Sequence, residues 1–91
     1  MTIRVHTSAL LREYCGCAAE LALEAGSVRA ALSELARREP RLFTSVCDET
    51  GAVRRHVNLF VGAQHMRELG GLDAPLRPGD ELTIIQAVSG G

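Results

Sequence analysis

At Gly26-Ser27 the spacing of apolar residues changes, and no other feature of the chain constrains its fold as much. Val28, Ala31, Leu32, Leu35 and Ala36 recur at the 3.6-residue period of an amphipathic helix, with Arg29, Ser33, Glu34 and Arg37 on the other side. The Ser27 hydroxyl is suited to accept from an unsatisfied first-turn amide. Arg37 and Arg38 place positive charge where the helix dipole favours it. Pro40 disfavours the helical conformation in the residue before it, so the helix is expected to end there.

On either side of this helix the period is two. Residues 2–7 alternate, with Ile3 and Val5 against Arg4 and His6. Residues 19–23 alternate again, with Ala19, Leu21 and Leu23 against Glu20 and Ala22. The connection between them carries Gly16 as a turn residue and predicts an antiparallel pair with a long loop. Residues 56–61 form the strongest strand signal: Val57, Leu59 and Val61 point one way, Asn58 and Phe60 the other. Residues 81–86 predict a last strand with Leu82 and Ile84 inward and Thr83 and Ile85 outward. A short strand is expected around Met66 and Arg67. Residues 41–55 read as irregular, with Phe43 and Val46 tucked under the sheet edge and 48–51 as an exposed turn. Residues 69–76 predict loop or a short 3₁₀ turn, and 77–80 a type II turn. One amphipathic helix and a sheet with one apolar face pack most simply as a two-layer α+β domain.

Size supports a single domain. A chain of 91 residues buries only about 60–65% of the surface its unfolded form exposes, which leaves little room for an internal pocket beside a core. Aromatic residues are 3% of the chain, so the core is expected to be aliphatic. A formal net charge of -1 gives no electrostatic case for a nucleic-acid or anionic-membrane partner. No apolar run reaches the roughly 18–20 residues of a membrane span, and Arg4, His6 and Arg12 interrupt any signal-peptide pattern. A cytoplasmic location is expected. All ten basic residues are arginines, for which a GC-rich genome is sufficient reason; Met1 supplies the only primary amine.

The chain closes on Gln86-Ala87-Val88-Ser89-Gly90-Gly91, with no charged or aromatic side chain. Two glycines carry no Cβ, so this end can thread a passage too narrow for other residues. Alone, such a stretch reads first as a loose chain end without a role. The expected organisation is a folded domain over residues 1–86 and a flexible tail over 87–91.

Other constellations point to little chemistry. Cys15-Gly16-Cys17 lacks the C-x-x-C spacing and the second pair of a structural zinc site, and three cysteines do not make a disulfide framework. His6, His56 and His65 share no ligand spacing. Asp48-Glu49 and Asp80-Glu81 sit in turns. Gly70-Gly71 lies mid-chain, where a glycine pair serves backbone geometry.

The run Arg55-His56-Val57-Asn58-Leu59-Phe60-Val61, then Met66-Arg67, Gly70-Gly71-Leu72, Pro78-Gly79-Asp80 and Leu82-Thr83-Ile84-Ile85, ending in Gly90-Gly91, resembles the prokaryotic ubiquitin-like sulfur carriers of the ThiS, MoaD and CysO family. The combination looks most like the CysO branch and covers nearly the whole chain. Gln86 departs from it, since proline is frequent there in the CysO and MoaD branches. The resemblance implies a β-grasp fold: a mixed sheet of four to five strands with one main helix on one face. It implies a protein co-substrate rather than an enzyme, with no bound cofactor. An E1-like adenylating enzyme would use ATP to activate the Gly91 carboxylate, and sulfide or a persulfide enzyme would convert it to a thiocarboxylate. In the CysO branch a pyridoxal-phosphate cysteine synthase would accept the sulfur, and a zinc metalloprotease would release the product. Gly90, Ser89, Val88 and Ala87 would line the partner's channel, and outward-facing Ile85 and Phe60 would form an apolar docking patch, unless they are simply exposed or partly covered by a loop. Molybdopterin or thiamin sulfur transfer, and a ubiquitin-like module whose tail is never activated, stand as alternatives.

Overall fold

The computed structural model describes residues 2–8, 13 and 20–86. Five strands form one mixed sheet: β1 (Thr2–Thr7), β2 (Glu20–Glu24), β3 (Val57–Val61), β4 (Gln64–His65) and β5 (Glu81–Gln86), in the spatial order β2-β1-β5-β3-β4. Only the central β1–β5 pair is parallel; the other three pairs are antiparallel.

The helix that the apolar period predicts is α1 (Val28–Arg38). Ser27 caps it, its hydroxyl accepting from the Ala30 amide at 3.1 Å. Val28, Ala31, Leu32 and Leu35 are buried, and their side of the helix covers Ile3, Val5, Leu23, Leu59, Leu82 and Ile84 from the sheet. Each fully buried aliphatic side chain contributes roughly 1.5–3 kcal/mol. At its end, Arg38 reaches across to donate to the Ala22 carbonyl at 2.8 Å, fastening the helix to β2.

Two expectations are corrected. Residues 41–55 are not wholly irregular, because a second helix, α2 (Pro40–Val46), opens that stretch. Pro40 occupies its first turn, where the missing amide costs nothing and the fixed φ is already helical. Leu42 and Val46, four apart, are fully buried, and Phe43 packs partly against the core. The short strand expected around Met66 and Arg67 is instead β4 at Gln64–His65, followed by a 3₁₀ turn over Met66–Leu69. The His65 ring caps that turn, its Nδ1 accepting from the Arg67 amide at 3.1 Å.

The remaining turns follow their residues. Asp48 Oδ1 accepts from the Thr50 and Ala52 amides and closes the exposed turn. Gly70 and Gly71 both take positive φ, +108° and +70°, and so join the first 3₁₀ turn to a second over Gly71–Asp73. Asp80 bonds both ways across its turn, its amide donating to the Arg77 carbonyl and its carboxylate accepting from the Arg77 amide.

Candidate functional site

β5 carries the chain toward its end from the middle of the sheet. It is held by β1 on one side and β3 on the other, with Gln86 opposite Val57 and Ile85 opposite Asn58. Covalently, then, residues 87–91 follow a strand that is bonded along both edges. Gly91, Gly90, Ser89, Val88 and Ala87 themselves lie outside the described residues, as do Cys15 and Cys17.

Strand alternation sends Leu82 and Ile84 into the core, both fully buried, and turns Ile85 out on the face opposite α1. Ile85 is 40% exposed, the one large hydrophobic side chain so exposed among the described residues. Phe60 shares that outer face one row away, half-buried, in register with Thr83 on one side and His65 on the other. Its ring meets the His65 imidazole edge-to-face, with centroids 5.2 Å apart and planes at 74°.

His65 and Asn58 join the site, although their sequence context gives neither a site role. Because His65 Nδ1 accepts from the Arg67 amide, its Nε2 carries the proton of the neutral ring and donates to Asn58 Oδ1 at 3.1 Å. That bond spans β3 and β4 and holds the imidazole against Phe60. No linear signal reveals the pair. Only the β3–β4 register brings Asn58 and His65 together.

Toward β2 the same face becomes charged. His6 Nε2 lies 3.2 Å from Glu81, His6 Nδ1 lies 3.8 Å from Glu20, and Arg4 lies 3.6 Å from Glu20. The exposed Arg4–Glu20 pair contributes about 0.2–1 kcal/mol, and the two His6 contacts are ion pairs only when the ring is protonated, so all three shape the surface more than they stabilise it. The outer face is therefore divided: an apolar half around Ile85 and Phe60, next to the end of β5, and a charged half across β1 and β2.

Cys47 is buried, and burial first, with the Asp48 charge second, pushes its thiol up from its ordinary value. It is held as the unreactive thiol rather than the thiolate. Among the described residues no three His, Cys, Asp or Glu side chains gather as a metal centre requires. No helix of the described residues is long and apolar enough to cross a membrane.

Comparison with known proteins gives a consistent result. The sulfur carrier protein CysO of Mycobacterium tuberculosis is 28% identical over 93 aligned residues, covering 100% of this chain and 100% of that protein. A chain of the BexX/CysO complex from Amycolatopsis orientalis superposes with a TM-score of 0.85 at 27% identity, over 98% of this chain and 99% of that one. Small archaeal modifier protein 1 of Methanosarcina acetivorans superposes with a TM-score of 0.82 at 30% identity, over 99% of this chain and 96% of that one. These neighbours share the ubiquitin-like β-grasp arrangement of sheet and helix seen here. The ThiS family model matches residues 7–91, and with that span accounted for, the chain belongs to the ThiS family.

Proposed function

We propose that this chain is a sulfur-carrier protein whose reacting group is the Gly91 carboxylate. It serves as a protein substrate of other enzymes and is not an enzyme itself. The observation that carries the reading is the full-length relationship to the sulfur carrier CysO, in a chain whose last described strand lies in the middle of the sheet with an exposed apolar patch beside its end. A CysO chain in complex with BexX supports a carrier that docks onto a partner protein.

The chemistry starts from a poor electrophile. A carboxylate cannot be displaced by sulfur directly, because oxide is a poor leaving group. An oxygen of the Gly91 carboxylate attacks the α-phosphorus of ATP in the active site of an E1-like partner, and pyrophosphate leaves. The resulting mixed anhydride is open to a sulfur nucleophile. Sulfide attacks the Gly91 carbonyl carbon, AMP departs with the carboxylate oxygen, and a proton is released. The product is a thiocarboxylate, a sulfur nucleophile on a protein handle. Gly90 keeps the penultimate backbone slim, Ser89, Val88 and Ala87 span the channel, and Ile85 with Phe60 forms the docking patch. The favoured acceptor is an enzyme of cysteine or related amino-acid synthesis, in keeping with the CysO relative.

Intact mass spectrometry after incubation with ATP, sulfide and the E1-like enzymes of the source organism tests this reading. A gain of about 16 Da, oxygen replaced by sulfur, is expected for the full chain. Chain lacking Gly91 should show no gain. Absence of the shift with every such enzyme would remove the carrier reading. Retained cellular function in the Gly91 deletion would point to a ubiquitin-like binding module instead.

A further inference from the structure

A groove of about 340 Å³ opens beside the root of the tail, lined among the described residues by Thr44, Ser45, Arg54, His56 and Gln86. It lies between the last turn of α2, the segment that leads into β3 and the end of β5, because Val57, next to His56, pairs with Gln86. Arg54 is anchored there: its Nε–H donates to the Thr44 carbonyl at 2.9 Å, and its own amide donates to the Val46 carbonyl at 2.8 Å. No described residue accepts from either Nη. The Thr44 and Ser45 hydroxyl protons are committed to carbonyls of α2, so these side chains shape the wall. Among the described residues, the donors left at the groove are the Arg54 guanidinium, the His56 ring and the Gln86 amide. No carboxylate lines the groove among the described residues. Asp48, whose titration senses Arg54, has its Oδ1 occupied by the Thr50 and Ala52 amides and the Thr50 hydroxyl.

We infer that this groove receives a carboxylate side chain of the activating partner, a polar latch at the root of the tail that is separate from the apolar patch at Ile85 and Phe60. The inference rests on the carrier reading above. It commits to an acidic side chain for two reasons. An anchored guanidinium whose Nη donors meet no acceptor among the described residues matches a carboxylate in planar, paired fashion. Moreover, any protein that draws in residues 87–91 must come up against the surface from which they start. The adenylate phosphate is the wrong occupant: five extended residues separate it from Gln86 by roughly 17 Å.

The test is ATP–pyrophosphate exchange, with the full chain as varied substrate of the E1-like enzyme that activates it. Arg54→Glu should raise the KM for the chain about tenfold, leave kcat unchanged, and flatten the dependence of KM on ionic strength. His56→Glu should act in the same direction. Arg54→Lys, which keeps the charge but loses the paired donors, should raise KM by less than Arg54→Gln, which loses both; a purely structural role for the Thr44 bond would move both alike. Thermal melts of each variant exclude unfolding as the cause. If wild type supports exchange and Arg54→Glu leaves KM unchanged, the latch is overturned and the carrier reading stands. If Arg54→Glu lowers KM, the groove instead holds the chain's own terminal carboxylate and the inference is overturned. If wild type gives no exchange with any E1-like enzyme of the source organism, the carrier reading and this inference fall together.

Discussion

Single residues in this protein take their roles from backbone geometry and burial more than from side-chain reactivity. Gly70 shows the first effect. Its φ of +108° is one that L side chains rarely adopt, although a Cβ there would meet nothing closer than the Ala74 amide at 4.0 Å. Gly70→Ala is therefore expected to cost about 1 kcal/mol through strain alone, measured as a fall in the urea midpoint without a change in slope. Gly70-Gly71 was legible in the sequence as a geometric pair because it had no chain end to offer. Cys47 shows the second effect. A thiol whose folded pKa is raised contributes stability in full below its unfolded value, near 8.5, and loses it as pH rises toward the folded value. Melting temperature is expected to fall more steeply above about pH 8.5 in wild type than in Cys47→Ala. Equal slopes for the two proteins would show that the thiol is not responsible.

Among the elements, β5 carries structure and candidate function on alternate residues. Ile84 is fully buried while Ile85 is exposed, one position apart. Ile84→Ala is expected to cost about 2–5 kcal/mol by lost burial and a residual cavity. Ile85→Glu should leave stability within about 0.5 kcal/mol and weaken the activation reaction by raising KM for the chain. Chemical denaturation and exchange kinetics on the same pair of proteins separate the two effects. If Ile85→Glu activates normally, the apolar half of the outer face has no part in docking. The sequence showed this alternation plainly because strand period is strict. It did not show α2, whose seven residues are too few to display a helical period and whose opening Pro40 reads first as the end of α1. Leu42→Ala, at the fully buried centre of α2, should cost as much as a change in α1, about 2–5 kcal/mol by thermal melt. A cost under 1 kcal/mol would mean that this helix is peripheral to the core.

For the whole molecule, folding and the proposed reaction belong to different parts of the chain. Removal of Gly91 is expected to leave the melting temperature unchanged, since the core of Ile3, Val5, Leu35, Leu59, Leu82 and Ile84 lies elsewhere, while abolishing the mass gain that marks sulfur transfer. A lowered melting temperature would show instead that the terminus packs against the domain. What the sequence determined by itself was whatever depends on neighbours in the chain: the two apolar periods, the Ser27 cap, the glycine and proline turns, and the Gly90-Gly91 end. From these the two-layer plan, the inward and outward faces of β3 and β5, and the family resemblance were legible. Only the tertiary structure decided what depends on distant residues meeting. Asn58 comes to His65, and the His6–Glu81 and His6–Glu20 pairs form, across strands whose register no local pattern specifies. Arg54 and His56 come beside Gln86 because β3 is paired with β5. Periodicity records which way a side chain points, and pairing between strands far apart in the chain decides what it faces.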